Sequence, residues 1–156
     1  MNWRSQTSRA FSLVEVTLAL GVAAIALISI FGLLVTGTQT HHTSVEQSSS
    51  SDILTAVAAD LRATPKTSST STQFGIAIPA DGNTAATSTL YFDSLGKAST
   101  SLVADSRYQL TITFVPNGGG TRTATFVDLR MTWPAAANPA NVNTSAAETF
   151  VALDRH

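Results

Sequence analysis

Residues 16–35 read VTLALGVAAIALISIFGLLV, twenty positions without a formal charge, with Glu15 immediately before them. This run constrains the chain more than any other feature. At about 1.5 Å per helical residue, twenty residues match the roughly 30 Å hydrocarbon core of a bilayer. A cleaved secretory signal has an apolar core of only about 7–15 residues. No small-x-small cleavage pattern stands out where the run gives way to TGTQTHHT at 36–43. The spacing predicts a retained, single membrane-spanning helix. Arg4 and Arg9 precede it, and no acidic residue comes before Glu15. Positive charge on the short leading side places that side in the cytoplasm and the remainder outside.

Glu15 is the anomaly. An acidic residue at the centre of a membrane helix costs on the order of 2.5–3.5 kcal/mol on insertion scales. Near the cytoplasmic edge, snorkelling reduces that cost. One reading is an interfacial carboxylate that is simply tolerated. The other is a carboxylate paired with a cation, the usual condition for a charge in apolar surroundings.

The stretch AFSLVEVTLAL at 10–20 resembles the processing and methylation motif of type IV pilins and of the pseudopilins of type II secretion. That resemblance implies a leader ending at Ala10, a mature chain starting at Phe11, and N-methylation of Phe11. Glu15 then takes the fifth mature position, where the family's glutamate offsets the terminal amine of a neighbouring subunit. The family usually has glycine before the cut; Ala10 is small as well. Loss of Arg4 and Arg9 with the leader leaves seven basic against ten acidic side chains, a formal −3. The implied partners are a prepilin peptidase and methylase, other pilin or pseudopilin subunits, and inner-membrane lipid.

Beyond the anchor, Gly21, Gly32 and Gly37 punctuate the helical run. Each is a flexible point or a close-packing site, or simply the glycine common in membrane helices. Residues 36–51 are polar and rich in Ser and Thr, which predicts a frayed or broken helix over about 37–50. Helical periodicity returns with Ile53, Leu54, Val57 and Leu61, leaving Asp52, Asp60 and Arg62 off that face. Thr64-Pro65 ends it.

The connector KTSSTSTQ at 66–73 reads as a loop, and strands are expected at 74–78, 88–93, 107–115, 121–133 and 148–154. The alternating runs on either side of PNGGG form the best hairpin. A helix followed by four or five antiparallel strands is an α+β layout, with the long helix packed on the sheet as in pilins. The expected divisions are a leader at 1–10, an assembly helix at 11–36, its continuation at 37–65, and an extracytoplasmic β-domain at 66–156. DLRATP, LYFDSLGK and MTWP also resemble the Verru_Chthon cassette protein B family, which implies a minor pilin-like component.

Candidate chemistry is sparse. Formal charge is −1 and no Lys/Arg cluster exists, which argues against nucleic acid. The chain has no cysteine, so thiolate chemistry and disulfides are excluded. His41 and His42 point about 100° apart on a helix and do not converge on one ion. Asp93, Asp105 and Asp128 are weak calcium candidates without the regular acidic spacing of a calcium loop. Asn117 to Gly120 read as a turn before an anion nest. No serine sits in a nucleophile elbow, and no histidine is placed to serve one. The expectation is a non-enzymatic subunit with no cofactor or metal, assembled through its N-terminal helix. The alternative is an uncleaved single-pass anchor presenting an extracytoplasmic binding domain.

Overall fold

A computed structural model describes residues 12–80, 84–116, 124–141 and 144–154. The element order is one helix, α1 (Leu13–Ala63), then β1 (Ala86–Phe92), β2 (Ala98–Ser99), β3 (Tyr108–Val115), β4 (Thr125–Trp133) and β5 (Ser145–Leu153). The chain divides into two compact units, one ending at Ser44 and one beginning at Val45. The fold is α+β, with one long N-terminal helix and a five-stranded antiparallel sheet.

Helix α1 starts where the Ser12 carbonyl accepts from the Glu15 and Val16 amides at 3.0 and 3.2 Å. It continues without a break through 37–50, where fraying was expected. The hydroxyls there turn back on the helix instead of competing with it. Thr40 donates to the Thr36 carbonyl at 3.0 Å, Ser44 to Thr40 at 2.9 Å, and Ser51 to Gln47 at 2.9 Å. Thr64 donates to the Asp60 carbonyl at 2.7 Å as the helix ends, one residue before the proline.

All five strands are antiparallel neighbours in the order β2-β1-β3-β4-β5. The expected β3–β4 hairpin is present, with Ile112 opposite Leu129 and Phe114 opposite Val127. Its turn, including Asn117 to Gly120, lies outside the described residues. β5 begins three residues earlier than the expected start at 148.

The expected strand at 74–78 is not a strand. Gly75 takes a positive φ of 65°, which reverses the chain and leaves one isolated bridge, Thr70 to Ala77. Ser71 holds this turn: its amide donates to the Ile76 carbonyl at 2.9 Å, and its hydroxyl accepts from the Ile76 amide at 3.0 Å. Ile76 and Ile78 are buried, and Phe74 meets Phe92 edge-on, with centroids 5.7 Å apart. The segment covers the core without joining the sheet.

The core forms between one stripe of α1 and one face of the sheet. Val57 and Leu61 pack in a single cluster with Phe92, Leu110, Ile112, Leu129, Met131 and Val151. Alternation through β3, and through β4 as far as Met131, supplies much of the sheet's half of that cluster.

Candidate functional site

The first candidate is the front of α1. Every described residue from Ser12 to Val45 is exposed. Leu13, Leu18, Ile25, Phe31 and Leu33 show apolar surface on several sides of the helix. The helix is long and apolar enough to cross a membrane. A helix that is apolar all round needs an apolar solvent, either a protein core or lipid. Its backbone groups bond within the helix, the condition for a lone segment to span hydrocarbon. The side-chain hydroxyls comply as well: Thr17 donates to the Val14 carbonyl and Ser29 to Ile25, both at 2.9 Å.

Glu15 is the acidic residue of the first turn, where a carboxylate also complements the positive end of the helix dipole. It borders a shallow apolar groove along Val16, Ala19, Leu20 and Ala23. Ala10 and Phe11, the expected processing residues, lie outside the described residues. The helix runs through Gly21, Gly32 and Gly37, and an added methyl at any of them meets no atom within 4 Å.

In the sheet unit the acidic candidates separate. The Asp93 Oδ1 accepts from the amides of Leu95 and Lys97 at 2.8 and 2.9 Å. That carboxylate closes the β1–β2 turn, which Gly96 completes with a φ of 77°. Asp93 and Asp105 share one hollow with Tyr91, Lys97 and Ser106; Asp128 is not part of it. No group of three potential metal ligands occurs among the described residues. The His41 and His42 rings stand 6.5 Å apart and nearly perpendicular, both exposed.

Asp128 lies on β4, and its Oδ1 is buried with no hydrogen-bond partner among the described residues. Burial, then the charge and hydrogen bonding of Glu148, raise its pKa above the usual carboxylate value; Arg130 opposes this without cancelling it.

Asp60 corrects the sequence reading. Expected off the buried face, it is itself buried, and its carboxylate accepts from the Gln73 and Phe74 amides at 2.9 and 3.1 Å. This bolts the connector to the end of α1. The signal was present in the spacing, since Asp60 follows Ile53 and Val57 at helical intervals.

No family model matches the chain, and neither a curated protein nor a solved structure matches it.

Proposed function

We propose that this chain is a structural assembly subunit of the pilin or pseudopilin kind, held in an inner membrane by the front of α1. The observation that carries the reading is the pairing of an all-round apolar helix surface with a single carboxylate in its first turn. Lipid satisfies the apolar surface, and a cation satisfies the carboxylate. Cleavage after Ala10 supplies that cation, because it creates an amine at Phe11, four residues from Glu15. The amine and the carboxylate then occupy one membrane depth, on one chain or on neighbours, and helices associate without a bare charge between them. The protein is processed by a peptidase and methylase and performs no chemistry itself. The sheet unit faces the extracytoplasmic side, following the positive charge at the leading end. The narrower likeness of DLRATP, LYFDSLGK and MTWP supports a minor component over a major filament subunit.

Glu15→Ala tests the pairing. The variant inserts into membranes at least as well as the parent, because a charge has been removed, but fails to co-purify with sister subunits or enter a filament. Normal incorporation refutes the role.

Alanine in place of the family's glycine at position 10 favours a second reading: an uncleaved anchor carrying a binding domain. The two differ in the N-terminus of the membrane-extracted protein.

A further inference from the structure

The face of the sheet turned away from α1 gathers its charge and its exposed aromatic rings on β4 and β5. Across β1, β3, β4 and β5 its outward positions are Thr, Ala, Gln and Tyr with Val115, Phe126 and Phe150, and only Asp128, Arg130 and Glu148 are charged. At one corner three apolar side chains come together. Val115 lies opposite Phe126, and Phe126 opposite Ala152, with Phe150 the next outward residue on β5. Phe126 is 44% exposed and Phe150 65%. Beside them Arg130 sits directly across from Glu148, and Asp128 across from Phe150.

We propose that this corner is a self-complementary docking surface, on which a second copy of the chain packs face to face through Arg130, Glu148, Phe126 and Phe150. The register sets the geometry. A two-fold axis running along the strands between β4 and β5 exchanges the two strands. It places Arg130 over Glu148 of the second copy and Phe126 over Ala152 of the second copy. The same operation covers Phe150, which then lies over Asp128 of the second copy. An isologous contact of this kind needs a patch that carries its own complement, and an arginine beside two carboxylates supplies one.

The isolated sheet leaves an unmet demand at the same spot. Asp128 Oδ1 is buried and accepts no hydrogen bond among the described residues. Burial first, and then the charge and hydrogen bonding of Glu148, raise its pKa, and the Arg130 of its own chain opposes this without cancelling it. The Arg130 guanidinium of the second copy, set over Glu148, brings donors and positive charge beside the neighbouring Asp128 and Glu148 carboxylates, and the flanking phenylalanines exclude water around it. Sheet faces pack about 10 Å apart at modest angles, within the reach of an arginine side chain. This contact is independent of N-terminal processing, so its failure says nothing about the anchor.

The absence of cysteine makes the test clean. The full chain in detergent micelles, carrying Ala152→Cys, is treated with a short bismaleimide and compared with Thr55→Cys on the helix. The expected result is rapid self-cross-linking through position 152 and little through position 55. Arg130→Glu lowers the yield at 152 by about tenfold or more, because like charges then meet across the axis. Mixing the Arg130→Glu chain with an Asp128→Lys/Glu148→Lys chain, each carrying Ala152→Cys, restores it as a heterodimer. Equal cross-linking at 152 and 55 overturns the proposal. So does an Arg130→Glu yield that matches the parent, or a charge-swapped mixture that stays monomeric.

Discussion

The two ends of α1 obey the same backbone rules and differ in what their side chains require. From Ser12 to Val45 no described residue is buried. From Ser50 to Leu61 a stripe closes over the sheet, with Val57 and Leu61 at 0% and 1% exposure. Helical hydrogen bonding is continuous across both. The contrast teaches that continuity of a helix says little about its surroundings. As far as Val35 the first stretch is apolar on every side and long enough to cross a membrane; the second is apolar on one stripe and packs on a sheet.

The sharpest way to break this contrast is to delete equivalent bulk at its two ends. Phe92→Ala removes a fully buried ring from the core beneath the helix stripe. It is expected to cost about 3–5 kcal/mol of stability. Leu27→Ala, at an exposed position of the front stretch, leaves the denaturation midpoint of the sheet unit unchanged. Near-UV circular dichroism of the full chain in detergent against urea measures both. A comparable loss in the two variants breaks the comparison.

The converse experiment puts charge into the front stretch. Ile25→Lys opposes membrane insertion by about 3 kcal/mol without lowering sheet stability. Membrane fractionation alongside the same urea curve reads both effects, and a soluble variant with an intact sheet unit is the expected outcome. Full retention of the lysine variant in the membrane fraction contradicts a spanning role.

Asp60 sharpens the description of the other end. Asp60→Ala strands the Gln73 and Phe74 amides and is expected to cost about 1–3 kcal/mol. Hydrogen exchange should rise selectively at residues 70–78. Uniform exchange across the sheet argues that Asp60 acts elsewhere.

The smallest effect belongs to Asp128. Its pKa is raised on folding, so the folded state binds more protons than the unfolded state in the window above the ordinary carboxylate value. Stability from this group is therefore present at low pH and is lost as pH rises through the folded pKa. Asp128→Asn should melt slightly higher than the parent near pH 7, and the gap should close towards about pH 4. Parallel melting curves for the two proteins over that range contradict the sign.

Much of this architecture was legible in periodicity. The alternation through Leu110, Ile112 and Phe114, and through Val127, Leu129 and Met131, identified the central hairpin and the residues that fill the core. Local propensity misled where tertiary contacts or self-bonding took over. The serines and threonines of 37–50 predict a break, but each hydroxyl that bonds the preceding turn removes the reason for one. FGIAI has the composition of a strand, yet the positive φ at Gly75 turns it into a core-covering loop. Asp60 is buried by the Gln73 and Phe74 amides it accepts from, partners that the helix pattern alone does not show. β2 is two residues long and carries no pattern to read. Of the candidate site, the apolar span and the place of Glu15 at its start were legible in the order of residues. The Asp128–Glu148 neighbourhood was not, since it depends on the register of β4 with β5.

The central claim is that Glu15 answers an amine created at Phe11. Intact mass and N-terminal sequencing of the membrane-extracted protein test it most directly. The account predicts a chain beginning at N-methylated Phe11, without residues 1–10. A membrane-bound protein that still begins at Met1 and continues through Ala10 contradicts it.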